Sequence, residues 1–131
     1  MKQVAKLVIM DNNDKYLLMY RSSHPTFGDD PDLPGGTLEN EERPIETMIR
    51  EVYEEAGIKI IESEVQEIYH GDDYSDHRTH YWLFKVKLGN QPAVNMSWEH
   101  SSYEWLERSD FLQKVKNAND TYMQMVYDRL K

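Results

Sequence analysis

The sequence has no cysteine, which excludes disulfide bonds and thiolate metal sites. It also lacks long apolar runs, and no stretch approaches the ~20 residues needed to span a membrane. The apolar part of the opening MKQVAKLVIM is too short for a signal peptide. From these absences we expect a cytoplasmic protein with no membrane partner.

Basic residues are scarce relative to acidic ones. The chain has 15 Lys and Arg against 24 Asp and Glu, so its formal net charge is −9. A surface that binds nucleic acid needs basic patches to neutralise phosphates, and this balance argues against such a partner. It does not argue against a small phosphorylated ligand, because a bound metal ion can supply positive charge locally.

A length of 131 residues suits one domain with a single core. Residue pattern and turn signals predict strands over 3–10, 16–20, 59–69 and 77–88, the first two forming a hairpin. Ser109 is a predicted N-cap for a short helix over 110–116, and Asp120 for a last helix with an apolar stripe. This mixture indicates an α/β or α+β sandwich.

The most informative stretch is 36–58, GTLENEERPIETMIREVYEEAGI. Pro44 suits the first turn of a helix, and Gly57 supplies a C-terminal stop. Between them one apolar stripe recurs at helical spacing, formed by Ile45, Ile49, Val52 and Ala56. The stretch therefore predicts a helix that packs one face against a core.

Three carboxylates, Glu51, Glu54 and Glu55, fall away from that stripe and project from one side of the helix. Arg50 can pair with Glu54, but no basic residue lies between Glu51 and Glu55. Like charges at i,i+4 cost about 0.2–0.5 kcal/mol per pair. An acidic, solvated helix face is one interpretation. A site for a hard divalent cation such as Mg2+, which prefers oxygen ligands, is the other.

The spacing of the whole stretch favours the metal site. Its constrained positions are Gly36, Glu42, Arg50, Glu51, Val52, Glu54, Glu55, Gly57 and Ile58. This pattern resembles the signature box of the Nudix hydrolases at every fixed position. The resemblance implies the Nudix fold, a mixed β-sheet sandwiched between α-helices, as a single domain over 1–131. It also implies a MutT-like pyrophosphohydrolase.

The resemblance also assigns metal ligands. It implies Glu51 and Glu55, together with the carbonyl of Gly35 in the segment DLPGG that precedes the box. Glu99 lies six residues before Trp105, where family members often carry a further acidic ligand ahead of an aromatic strand residue. A loop carboxylate without a ligand role is the alternative for Glu99.

Catalytic roles are less separable. Glu54 is a further metal ligand or the base that takes a proton from water, held in place by Arg50. With Glu51 these two residues form the predicted catalytic group. Glu42 is expected to orient or cap rather than to bind metal.

Substrate contacts are expected from Arg21, Gly36 and His100. Basic residues at the position of Arg21 in Nudix-like chains often reach phosphates, although a surface arginine at a strand end is equally compatible. The glycine at position 36 allows close approach of a ligand. The loop 22–31 is expected to face the substrate, and whether His24 or Phe27 touches a ligand is left open.

These features predict a Mg2+-dependent hydrolase, with Mn2+ as a possible substitute, that cleaves nucleoside triphosphates to monophosphate and pyrophosphate. Dinucleoside polyphosphates, ADP-ribose or nucleotide sugars are alternative substrates. A catalytically silent nucleotide-binding module is an alternative of another class. The expected partner is a small nucleotide, bound by a monomer or a homodimer.

Overall fold

The computed structural model describes residues 1–22 and 30–131. Positions 23–29 of the expected substrate-facing loop lie outside the described residues, and so do His24 and Phe27.

The described chain forms seven strands and three helices. The strands are β1 Lys2–Met10, β2 Tyr16–Arg21, β3 Pro31–Asp32, β4 Gly35–Thr37, β5 Gln66–Gly71, β6 Thr79–Lys87 and β7 His100–Leu106. The helices are α1 Pro44–Ala56, α2 Arg108–Lys116 and α3 Thr121–Leu130, and there are short 3-10 turns at Glu62–Glu64 and Asp73–Ser75.

All seven strands join one mixed sheet. Its order is β3-β2-β1-β6-β5, with β4 also paired to β1 and β7 also paired to β2. The central pair β1–β6 is parallel from Lys2↔Thr79 to Met10↔Lys87, and the other pairs are antiparallel. Helices cover both faces, so the predicted mixed sheet between helices is confirmed.

Alternation along β1 separates the two cores. Leu7 and Ile9 are fully buried among the residues that pack on α1, whereas Val8 is buried among the residues of α2 and α3. Val52 of α1 is fully buried, and Ile49 is partly buried against the same cluster. The predicted apolar stripe of α1 is therefore the face that meets the sheet.

Strands β1 and β2 separate along part of their length. They pair at Met10↔Tyr16. At its other end β1 pairs with β4 through positions 4–6, and β2 pairs with β3 through positions 19–20. The segment 31–37, which contains β3 and β4, thus fills the space where β1 and β2 separate. This segment includes the Gly pair that α1 packs against.

Three predicted boundaries are wrong. The strand expected from residue 59 begins at Gln66, because the chain first makes the 3-10 turn Glu62–Glu64. The strand expected from residue 77 begins at Thr79, since Asp76 and His77 take left-handed conformations with φ of 55° and 64°.

The third concerns α2, which starts at Arg108 with Glu107 at its N-cap position, because β7 runs to Leu106 and leaves a one-residue link. Ser109 is therefore inside the first turn rather than its cap. The predicted N-cap of α3 is confirmed: the Asp120 side chain accepts hydrogen bonds from the backbone N–H groups of Tyr122 and Met123.

Candidate metal and active site

The C-terminal end of α1 ties the segment before β7 to the signature box. The Asn95 N–H donates to the carbonyl of Ala56 at 2.8 Å. The Ser97 N–H donates to the carbonyl of Glu55 at 3.2 Å. A helix leaves its last four carbonyls without helical partners, and these bonds satisfy two of them. They also bring Glu99, four residues after Asn95, to the same end of the helix.

Two glycines let Glu51 lie against the sheet. Gly35 has φ +146°, and a Cβ there would lie 2.5 Å from the Cα of Lys6. A Cβ on Gly36 would lie 2.7 Å from Cδ of Glu51. A larger residue at 36 would therefore push the Glu51 carboxylate away. The ligand role of the Gly35 carbonyl and the substrate role of Gly36 stay predictions.

Arg50 is the centre of a carboxylate network. Its Nε donates to Glu42 at 2.8 Å, and its Nη1 donates to Glu51 at 2.9 Å and to Glu54 at 3.3 Å. The hydrogen bonds from Arg50 lower the pKa of Glu42 to about 2. Glu42 thus anchors the guanidinium, as expected for an orienting residue. No basic residue lies between Glu51 and Glu55 in the sequence, but Arg50, directly before Glu51, pairs with both Glu51 and Glu54.

Glu55 is buried, with 3% of its surface exposed. Burial, the hydrogen bond with Glu51, and the nearby charges of Asp32 and Glu99 raise the pKa of Glu55 to about 9. Glu55 was expected to fall away from the apolar stripe of α1, and the structure adds that it is nevertheless buried, because the segments that carry Asp32 and Glu99 cover this side of the helix. Glu54, in contrast, keeps an exposed side chain.

A buried carboxylate that the sequence interpretation missed lies beside Glu55. Asp32 accepts hydrogen bonds from Lys6 Nζ at 2.6 Å and from the Leu33 N–H at 2.9 Å. It also lies 3.0 Å from His100 Nε2 and 3.3 Å from Arg21 Nη2. Burial alone would raise the pKa of Asp32, but the Lys6 ammonium, the His100 hydrogen bond and Arg21 together hold it well below its usual range.

His100 lies beneath the site. Because a carboxylate only accepts, His100 Nε2 donates in its hydrogen bond with Asp32. Its Nδ1 is 3.8 Å from Oε1 of Glu55 and has no hydrogen-bond partner among the described residues. The His100 side chain is 1% exposed. A direct contact with substrate stays a prediction, and this burial favours a supporting role.

Arg21 is engaged by three carboxylates, those of Asp30 at 2.9 Å, Asp120 at 3.2 Å and Asp32 at 3.3 Å. These neighbours raise the pKa of its guanidinium although burial opposes the rise. Arg21 also borders a pocket of about 240 Å³, whose lining residues are Arg21, Ser22, Asp32, Trp98, Glu99 and His100. Its position at this pocket is compatible with a phosphate contact, which remains a prediction.

Two sets of side chains meet at Glu55. Ligand atoms of Asp32, Glu55 and His100 lie within 4.8 Å of one another, so they form one candidate metal group. Asp32, however, already accepts from Lys6, His100 and a backbone N–H. The second set is Glu51, Glu55 and Glu99, in which Glu51 and Glu99 add to the effect of burial in raising the pKa of Glu55. By its chemistry an all-carboxylate set suits a hard divalent cation better. Among the described residues, however, only the first set has its ligand atoms within 4.8 Å of one another.

Comparison with known proteins identifies the family. A family model described as the NUDIX domain matches residues 1–126. The chain belongs to the Nudix hydrolase family. The identification made from the signature box is thereby confirmed.

Relatives of this Nudix chain include human diphosphoinositol polyphosphate phosphohydrolase 3-alpha. That protein is 34% identical over 111 residues, which cover 81% of this chain and 63% of the relative. The chain spans less than two thirds of the length of the curated relatives it matches.

Solved Nudix structures show the same fold. A MutT protein from Methanosarcina mazei has a TM-score of 0.69 and 23% identity, with 97% of this chain and 90% of that chain covered. An Ap4A hydrolase from C. elegans has a TM-score of 0.62 and 23% identity, with 98% and 96% covered. Within residues 1–22 and 30–131, no helix combines the length and apolar character that a membrane crossing requires.

The residues that sequence reasoning missed support the site from a distance along the chain. Lys6 is 26 positions from Asp32. His100, which was expected only as a substrate contact, pairs with Asp32 from 68 positions away. Asp120 was predicted as a helix cap, and it also reaches Arg21. The one available signal was the acidic residue two positions before Pro34 in DLPGG, next to the predicted metal-binding carbonyl.

Proposed function

We propose that this Nudix protein is a Mg2+-dependent pyrophosphohydrolase that cleaves nucleoside triphosphates to monophosphate and pyrophosphate. The observation that carries the proposal is the Glu55 carboxyl, buried beside Glu51 and Asp32 with a strongly raised pKa. A fold selected only for stability would not place a third carboxyl there. Such a group is expected where a cation completes the site in the working enzyme.

The donor set fits Mg2+. Glu51, Glu55 and Glu99 supply oxygen ligands, and Mn2+ is the natural substitute. The cation, when bound, would neutralise phosphate oxygens and lower the pKa of a bound water. Glu51 is oriented for this role by Arg50 and by the missing side chain of Gly36.

Glu54 is our candidate for the general base. Its carboxylate is exposed and therefore accessible to a water molecule, and Arg50 holds it at 3.3 Å. Arg50 in turn is fixed by Glu42 through two hydrogen bonds of 2.8 Å and 3.0 Å. This chain of contacts limits the positions of Glu54 without burying it. Glu54 as a further metal ligand is the alternative assignment.

The charge of the site favours a nucleotide over a heavily phosphorylated inositol. Among residues 1–22 and 30–131, the cations close to these carboxylates are Lys6, Arg21 and Arg50, and each pairs with at least one carboxylate. The net charge of the chain is −9. A diphosphoinositol polyphosphate carries many phosphates and would need several basic side chains to neutralise them.

Diphosphoinositol polyphosphates nevertheless form the second candidate substrate class, because the curated relatives at 31–34% identity are named for acting on them. Dinucleoside polyphosphates, ADP-ribose and nucleotide sugars keep the same chemistry and are further alternatives. A nucleotide-binding module without turnover is the alternative that differs in class.

A substrate panel tests the proposal. Nucleoside triphosphates, diadenosine polyphosphates, ADP-ribose, nucleotide sugars and a diphosphoinositol pentakisphosphate would be incubated with Mg2+, with Mn2+ or with EDTA, and products resolved by chromatography. We expect a triphosphate to yield monophosphate and pyrophosphate only when metal is present. Turnover of the inositol substrate alone would transfer the proposal to the second candidate, and binding without any turnover would favour the silent module.

Variants test the residues. Glu54→Gln and Glu55→Gln should each reduce turnover by about 100-fold or more while the fold remains intact by circular dichroism. Glu64→Gln, an exposed carboxylate in the turn Glu62–Glu64, is the matched control and should retain wild-type turnover. Near-normal turnover in both Glu54→Gln and Glu55→Gln would exclude the proposed roles of these two carboxylates in metal binding and catalysis.

A further inference from the structure

Trp98 is the most exposed large apolar side chain in the described part of the protein, with 84% of its surface accessible. A single exposed apolar residue is ordinary on a protein surface. The position of Trp98 is what distinguishes it. Trp98 immediately precedes Glu99, the proposed ligand, and both residues line the pocket at the site together with Arg21 and Asp32.

The backbone that carries Trp98 is held in place. Ser22 Oγ donates to the Trp98 carbonyl at 2.7 Å, and the Ser22 N–H donates to the Glu99 carbonyl at 2.9 Å. On the other side, the Ser97 N–H donates to the carbonyl of Glu55 in α1. The indole is therefore carried by a segment anchored both to the end of β2 and to the metal-binding helix.

We propose that Trp98 is the surface on which the base of the substrate stacks, and that this base is a purine. Every nucleobase has a π-face, so any base can stack on an aromatic side chain. The strength of the contact depends on the area over which the two ring systems overlap. The two fused rings of an indole overlap a purine over more area than a pyrimidine. The inference rests on the proposed function, since it needs the phosphates of the same molecule to lie at Glu51, Glu55 and Glu99.

This subsite discriminates between the candidate substrate classes. A nucleoside triphosphate or a diadenosine polyphosphate carries a base that the indole can cover. An inositol diphosphate has a saturated, heavily charged ring with no π-face, and an exposed indole gives it no favourable contact. Trp98 therefore supplies the affinity for a base, which the acidic carboxylate cluster itself cannot supply.

Binding measurements test the subsite independently of turnover. The probes are α,β-methylene-ATP, α,β-methylene-CTP and inorganic tripolyphosphate, each titrated with Mg2+ by calorimetry. The variants are Trp98→Ala, which removes the stacking surface, and Trp98→Phe, which retains part of it. Tyr53→Ala is the matched control, because Tyr53 is an exposed aromatic residue on α1, 54% accessible, outside this pocket.

We expect Trp98→Ala to lower the affinity for the ATP analogue by about 5- to 100-fold. The same change should leave the affinity for tripolyphosphate within about twofold of the wild-type value, and the protein should no longer prefer the ATP analogue to the CTP analogue. Trp98→Phe should recover most of the lost affinity, and Tyr53→Ala should behave as wild type. In steady-state kinetics the loss should be in KM for ATP with kcat nearly unchanged.

Two binding outcomes would overturn the inference. Equal weakening of the ATP analogue and tripolyphosphate would mean that Trp98 only supports the segment that carries Glu99. Unchanged affinity for the ATP analogue would mean that the base lies elsewhere.

The turnover assays separate this inference from the proposed function. If the wild type binds neither analogue yet hydrolyses an inositol diphosphate with Mg2+, the base subsite is excluded while the hydrolase stands. If no substrate is hydrolysed but the ATP analogue still depends on Trp98, the subsite stands and the proposed hydrolysis fails.

Discussion

At the scale of single residues, Glu55 reveals the conflict between stability and the proposed chemistry. Burial, the hydrogen bond with Glu51 and the charges of Asp32 and Glu99 raise the pKa of its carboxyl to about 9. Between its ordinary pKa and that value, the folded protein keeps a proton that the unfolded chain releases. Without metal, stability therefore falls as pH rises through this window.

Removing the charge of Glu55 should stabilise the metal-free protein. We expect Glu55→Gln in EDTA to raise the free energy of unfolding at pH 8 by on the order of several kcal/mol, about 1.4 kcal/mol for each pH unit above the ordinary pKa, because the amide needs no proton to remain buried. At pH 4.5 the two proteins should be nearly equal. Urea unfolding at both pH values measures the difference, with Glu64→Gln as control. A variant less stable than wild type at pH 8 would contradict the raised pKa.

Gly36 is the second residue with a specific consequence. In Gly36→Ala the new Cβ would approach the end of the Glu51 side chain, which is flexible, so the carboxylate should move while the fold adapts. We expect a loss of turnover of about 10- to 100-fold, as a displacement of about 1 Å can cause, with little change in thermal stability.

Gly89→Ala is the control for Gly36→Ala, because apart from its two chain neighbours no atom in the described part of the protein lies within 4 Å of a Cβ at that position. If both variants retain wild-type turnover, the close approach of Gly36 to Glu51 has no role in the site.

At the scale of elements, helix ends fix the geometry of the site. The last turn of α1 accepts hydrogen bonds from the segment 95–97, and the N-cap of α3 reaches Arg21 at the far side of the pocket. Both contacts join elements distant in sequence. Asp120, the N-cap of α3, therefore both starts the helix and holds Arg21 at the pocket.

The caps of α2 and α3 offer a paired test. Asp120→Ala should lower the free energy of unfolding by about 0.5–2 kcal/mol, since the backbone N–H groups at the start of α3 lose their acceptor. Ser109→Ala should change it by less than about 0.5 kcal/mol, because Ser109 lies inside the first turn of α2 rather than at its N-cap. Thermal or urea unfolding measures both, and a larger loss for Ser109→Ala would contradict the observed helix starts.

The local features of this protein could be predicted from the sequence, and the long-range ones could not. Helix α1 was predictable because Pro44, its apolar stripe and Gly57 all lie within one stretch. The burial of Glu55 was not, since Asp32 and the segment before β7 cover it from other parts of the chain. The strand boundary near residue 66 failed for a local reason, a 3-10 turn within a segment of otherwise suitable composition.

At the scale of the whole molecule, negative charge and metal binding are linked. The chain carries a net charge of −9, and the three carboxylates proposed as metal ligands are part of that charge. An anionic substrate would be repelled by such a surface without a cation. We propose that α1 and the segment before β7 supply the carboxylates that hold this cation.

The central claim is that Glu51, Glu55 and Glu99 hold a divalent cation. The most direct measurement is a Mn2+ titration followed by electron paramagnetic resonance, in wild type, Glu55→Gln and Glu64→Gln at pH 8. We expect the wild type and Glu64→Gln to bind Mn2+ with equal affinity and Glu55→Gln to bind it about 10- to 100-fold more weakly or worse. Equal Mn2+ affinity in all three proteins would place the cation away from Glu55 and contradict the account.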